Sequence, residues 1–400
     1  MKNKRYILGS LGIALLLLSA FTLVGCGGGS GGGKTPGGGN PATVSGVLMV
    51  GSYTGSAGWD YIPCYWTDTL ADAQRLQLSE VGGTYGEACA VGVCGGTVYI
   101  GGGTYTDSDT YNKPCYWTKS QGGNYVCKTP AIPDNAHPYG QITAIAVSGE
   151  TVYMAGYYAD KDKKRTPCYW AGPDNKPVTL PTPLGSNGGC ASAIAVDGTT
   201  IYTAGCYYNV DKYSFPYAWQ GNSEITPEPA KADGASSGGI SGIAISGGKV
   251  YFSGSCYFSE NKVDKPYYWT TGSSTANPLT TVSAKGGAVR TMFDNGGTPC
   301  LAGNDGDSPC VWAGLTASPG VLSLSNATNS VFGYVNCSAV GGGTVYMAGY
   351  YGKLSNPSDP NSVYILYPCW WAGTNSTQAN LLNIPAESAR GGWVNGILVQ

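Results

Sequence analysis

From Val44 onward the chain alternates apolar and polar residues with a period of two, in short runs bounded by Gly, Ser, Asn and Asp. Such alternation predicts strands, and residues 142–181 show four of them in succession. Ile142-Thr143-Ala144-Ile145-Ala146-Val147 is small and apolar, as a strand beside a crowded axis must be. Ser148-Gly149-Glu150 turns the chain into a second strand, Thr151 to Tyr158. After a polar loop, Pro167-Cys168-Tyr169-Trp170-Ala171 forms a third strand whose proline stands at its start, where it removes no ladder donor from the middle. Pro177-Val178-Thr179-Leu180-Pro181 reads as a short outer strand blunted by prolines.

The same unit recurs. Pro-X-X-Trp appears at 63–66, 114–117, 167–170, 216–219, 266–269, 309–312 and 368–371. The seven tryptophans are spaced by 51, 53, 49, 50, 43 and 59 residues, a period that matches one four-stranded propeller blade. The sixth unit is abbreviated, with Pro299-Cys300-Leu301-Ala302-Gly303 as its second strand. The first unit begins at a second strand, Val47 to Gly51, and lacks an inner one. Residues 394–399, preceded by Gly391-Gly392, match the inner strands of other units and are expected to pair with 47–51. The predicted fold is therefore an all-β, seven-bladed propeller over 44–400, closed by its C-terminal strand.

Aligning the units suggests a contact. The second-strand position held by Tyr157 carries Ser52, Gly103, Cys206, Ser255, Asn304 and Tyr350 elsewhere, and the third-strand position of Cys168 carries Cys64, Cys115, Tyr217, Tyr267, Cys310 and Cys369. Two tyrosines never coincide, as expected if these positions face each other across strands two and three.

Val152-Tyr153-Met154-Ala155-Gly156-Tyr157, Val345-Tyr346-Met347-Ala348-Gly349-Tyr350 and the Pro-X-X-Trp copies resemble the HAF-repeat extracellular proteins and bacterial lipoproteins with Pro-Cys-Tyr-Trp units, and more distantly kelch propellers. The resemblance implies a propeller and assigns no activity. The tryptophan-aspartate repeat signature and the sialidase box are absent.

The first 25 residues read as an export signal: Lys2, Lys4 and Arg5 precede an apolar run that ends in Leu23-Val24-Gly25-Cys26. An uncleaved anchor is the alternative reading of that run. The tetrapeptide resembles a lipobox, which implies a diacylglyceryl thioether on Cys26, an acylated amine, and a membrane as partner. Residues 26–43 then form a glycine-rich tether. Gly27 in place of Asp favours the outer membrane, by resemblance to enterobacterial lipoproteins.

A net charge of −2 with 12% charged residues leaves no footprint for nucleic acid. Of 14 cysteines, Cys26 is the lipid site, and the cysteines that share one blade position read as small buried hydrophobes too far apart to pair. Cys115 and Cys127 flank a turn and are a candidate disulfide. His137, the single histidine, falls in a loop between blades, so neither a histidine metal cluster nor any other cofactor is implied.

Candidate binding residues lie in the loops between strands two and three: Asp109, Tyr111, Asp162, Lys163, Asp211, Tyr213 and Asp264. Acidic and aromatic groups there suit a glycan, peptide or protein ligand, although the same residues also serve simple turns. The expected protein is a monomeric envelope binding module. The alternative is a glycan hydrolase or lyase that uses two loop carboxylates.

Overall fold

A computed structural model describes residues 46–58, 60–109, 112–120, 122–226, 228–359 and 362–399. The expected export signal, lipid site Cys26 and tether, together with Tyr111, lie outside the described residues. The described chain forms seven four-stranded antiparallel sheets, and it is a seven-bladed β-propeller. Apart from a single 3-10 turn at Ser79–Val81, its regular structure is all strand.

Blade 3 shows the plan. Its inner strand His137–Ser148 leads to Thr151–Ala159, Arg165–Ala171 and the outer Val178–Thr179, each hydrogen-bonded to the one before. His137 thus begins an inner strand rather than occupying a loop, with its ring stacked on Tyr139. The abbreviated sixth unit is nonetheless a complete blade, its second strand Pro299–Asp305 turning through Gly306-Asp307 into Ser308–Trp312.

Blade 1 is assembled from both ends of the chain. Gly392–Val399 pairs antiparallel with Val47–Thr54, and Ile397 stands opposite Met49. Val394, Ile397 and Leu398 are buried there, so the tail supplies core as well as a covered sheet edge.

The repeated tryptophan is the latch between blades. All seven indoles are fully buried, and each N–H donates to a backbone carbonyl in the segment that leaves the preceding blade. Trp117 reaches Gln77 at 2.7 Å, Trp170 reaches Ala131 at 2.6 Å, and Trp269 reaches Ala230 at 2.8 Å. Trp66 closes the circle on Asn383, 317 residues away in sequence, at 2.9 Å. A large apolar ring with one donor fills the interblade wedge and satisfies a covered carbonyl at the same time.

A second device repeats nearer the axis. Every inner strand carries a bulge, where the register against the second strand slips by one residue. The bulged residues are Asn395, Cys89, Thr143, Ser192, Ser241, Arg290 and Asn336. Several tie one blade to the next: Asn336 Nδ2 donates to Val394 O at 2.9 Å, and Asn395 Nδ2 to Ala88 O at 3.1 Å. Thr143 Oγ1 donates to Ala191 O at 2.6 Å, and Ser241 Oγ to Val289 O at 2.9 Å. Each acceptor immediately precedes the next blade's bulge, so the bulges form a belt about the axis.

The bulge requires a glycine on the second strand. At Gly51, Gly102, Gly156, Gly205, Gly254, Gly303 and Gly349, an added Cβ would overlap an inner-strand carbonyl oxygen. This corrects the contact expected between the two variable positions. Cys168 stands opposite Gly156, and Tyr157 opposite Pro167, so Tyr157 and Cys168 point to opposite faces of the blade. The same holds in blade 4, where Tyr217 faces Gly205 and Cys206 faces Pro216. The third-strand cysteines at 64, 115, 168, 310 and 369 are fully buried, and desolvation pushes their thiols far up. Cys115 and Cys127 touch but remain free thiols, because Cys127 stands opposite Trp117, two residues beyond Cys115.

Candidate functional site

Second strands end, third strands begin and inner strands begin at one face of the ring, here called the top. One step above each bulge-facing glycine lies a cross-strand pair that differs in every blade. In blades 1 to 7 these pairs are Trp393–Ser52, Glu87–Gly103, Gln141–Tyr157, Cys190–Cys206, Gly239–Ser255, Ala288–Asn304 and Tyr334–Tyr350. The frame below is uniform, so this tier is where the ring acquires chemistry.

Two arcs of the tier are polar and aromatic. In the first, half-buried Tyr61 meets Trp393 edge to face, with centroids 5.2 Å apart at 84°. The Tyr61 backbone N–H donates to the Tyr105 hydroxyl at 3.1 Å, and Tyr105 packs on Tyr85 at 5.5 Å. Glu87 lies on the inner strand between these rings and Gln141, whose Nε2 donates to Glu87 Oε2 at 3.2 Å. Desolvation raises the Glu87 carboxyl above its ordinary value, and the Gln141 bond offsets part of the rise. Burial, with Glu87 nearby, pushes the Tyr105 phenol up to about 12. The Arg165 guanidinium sits 4.8 Å over the Tyr157 ring and completes the arc in blade 3.

The second arc centres on Arg290, the bulged residue of blade 6. Its charge acts on Asp264, Tyr334 and Tyr350 together. Tyr334 and Tyr350 stack edge to face at 5.4 Å, and Phe332 extends the cluster towards Tyr364. Desolvation raises Asp264, and Arg290 draws it back in part. The arrangement offers flat rings flanked by carboxylate, amide and guanidinium groups, a surface suited to a ligand that has both apolar faces and hydroxyl or amide edges.

No family model matches the chain, and no curated protein does. Solved structures of related shape include an ulvan lyase, described as a new family of polysaccharide lyase, at 9% identity and TM-score 0.49 over 86% of this chain and 93% of that one. A Hadza microbial sialidase aligns at 7% identity and TM-score 0.45, covering 72% and 71%. The Dos1 propeller aligns at 13% identity and TM-score 0.43, covering 86% and 97%.

Of the residues expected from sequence, Asp264 alone is brought to either arc, standing opposite Tyr257, two residues above the tier, under the influence of Arg290; Tyr111 lies outside the described residues. Asp109 folds back on its own loop, accepting from Thr106 N at 2.9 Å and pairing with Lys113 Nζ at 3.0 Å. Asp162 is exposed and pairs with Lys161, while Lys163 serves the same turn at φ 63°. Asp211 and Tyr213 are exposed, and the Tyr213 N–H donates to Asn209 Oδ1 in a local turn. Glu87, Gln141, Arg290 and Trp393, which the structure places in the two arcs, are not among the residues expected from sequence. Their signal was a charged or bulky residue within a strand otherwise built of small apolar ones.

Proposed function

We propose that the chain is a cell-envelope lipoprotein whose propeller binds a saccharide on its top face. The N-terminal lipobox supports the anchor at Cys26. The first arc carries the ligand reading: Trp393, Tyr61 and Tyr105 set aromatic faces and edges beside the hydrogen-bonding pair Glu87 and Gln141. The apolar face of a sugar ring stacks on such rings, while its hydroxyls donate to the carboxylate and accept from the amide.

The test is a glycan array with the purified protein, followed by calorimetric titration of any saccharide retained. Trp393→Ala and Tyr61→Ala are each expected to weaken binding by about tenfold or more, the loss of roughly 1.4 kcal/mol of stacking. An array without response, or a saccharide that Trp393→Ala binds as well as the wild type, would sink the assignment.

A further inference from the structure

Cys190 and Cys206 fill the tier of blade 4 and stand directly opposite each other on its inner strand, Gly189–Asp197, and second strand, Thr200–Tyr208. Their sulfurs are 3.4 Å apart. Opposed residues of an antiparallel pair have Cα atoms about 4.5–5.5 Å apart, within the roughly 4.4–6.8 Å that a disulfide spans. Joining the two sulfurs therefore takes side-chain rotation and leaves the strands in place. The Tyr208 hydroxyl and the Ser192 hydroxyl each lie 3.9 Å from Cys190 Sγ.

This environment is unlike that of the packing cysteines. The Cys206 thiol donates to Cys190 and lowers it, against the opposing effect of burial, and Arg165, Tyr208 and Ser192 assist. The same contact pushes Cys206 up. By contrast, burial drives Cys64, Cys89, Cys115 and Cys337 upward. The contact thus favours the thiolate form at Cys190 and disfavours it at Cys206.

We propose that Cys190 and Cys206 form a peroxide-reactive dithiol, a redox modification site built into the top tier. Both side chains are buried, which excludes bulky disulfide reagents and suits a small hydroperoxide. The Cys190 thiolate attacks one peroxide oxygen; the S–O bond forms, the O–O bond breaks, and hydroxide leaves to take up a proton as water. The Cys206 sulfur then attacks the Cys190 sulfenic acid. The S–S bond forms, the S–O bond breaks, and the departing hydroxide takes the Cys206 proton as a second water. Two thiols and one hydrogen peroxide become one disulfide and two waters, with both electrons passed to the peroxide.

The reduced full chain is treated with hydrogen peroxide, quenched, denatured and counted for thiols. Loss of two thiols is expected, with the bridge located after cleavage before Asp197, which lies between the two cysteines. The rate should rise with pH and level off below the ordinary thiol value of 9.0. Cys206→Ser should stop at a Cys190 sulfenic acid that dimedone captures, and Cys115→Ser should behave as wild type. A bridge elsewhere, or a Cys190 oxidised no faster than Cys115, overturns the proposal. The bridge map of the unaltered protein decides the matter even if Cys206→Ser does not fold.

Discussion

Replacing Trp170 by Phe isolates the latch between blades 2 and 3. The native indole is fully buried and donates to the Ala131 carbonyl at 2.6 Å. Phenylalanine keeps an aromatic ring in the slot but has no donor, so a covered carbonyl loses its partner at a cost of about 1–3 kcal/mol. The smaller ring also forfeits roughly 40 Å² of buried apolar area, about 1 kcal/mol at 25 cal/mol per Å². The expected loss is about 2–4 kcal/mol. With about 2.1 cal/mol/K of unfolding entropy per residue over roughly 350 residues, that lowers Tm by about 3–5 °C in scanning calorimetry. Trp66→Phe should do the same, since its acceptor at Asn383 repeats the geometry across the closure. If either variant melts within about 1 °C of wild type, the indole bond does not couple the blades, and the reasoning from it is wrong.

Deleting residues 392–399 leaves Val47–Thr54 with an open edge and uncovers its apolar face; loss of a single cooperative melt and association in light scattering are expected, and an unchanged melt would refute the closure. Burial raises Glu87 above its ordinary 4.5, so its protonated form suits the fold: the contribution is fully present below pH 4.5 and lost as pH climbs through the folded value. Glu87→Gln, which does not ionise, should therefore melt above wild type at neutral pH and converge with it below pH 4.5 in a pH series of thermal melts. Identical melts at neutral pH would show that Glu87 is not desolvated.

The architecture was legible because it rests on repetition. Seven Pro-X-X-Trp copies and an orphan inner strand at the tail suffice to count the blades and pair Ile397 with Met49. What the repeat conceals is register. Tyr157 and Cys168 vary in step along the chain, yet the Pro167 partnership of Tyr157 places them on opposite faces. That one-step error matters because successive strand residues alternate faces. The expected residues and the two arcs differ for a related reason. Loop aspartates such as Asp109 and Asp162 are chemically conspicuous, but Asp109 caps its own turn and Asp162 pairs with the neighbouring Lys161. Glu87 and Arg290 are conspicuous only once they are recognised as charges within inner strands. Asp264 combines both traits, lying at a loop's end and on a strand under the influence of Arg290.

The bulge and its facing glycine fix the backbone immediately beneath seven sockets, whose occupants already range from Gly239 to Trp393. An added Cβ at Gly239 would meet nothing nearer than Cys206 Cβ at 3.8 Å, whereas at Gly103 it would meet Asn112 Cβ at 3.2 Å, so the sockets differ in how much they can take. The chemistry presented on the top face can thus be rewritten one wedge at a time, and grafting from one wedge to another should be tolerated wherever volume permits.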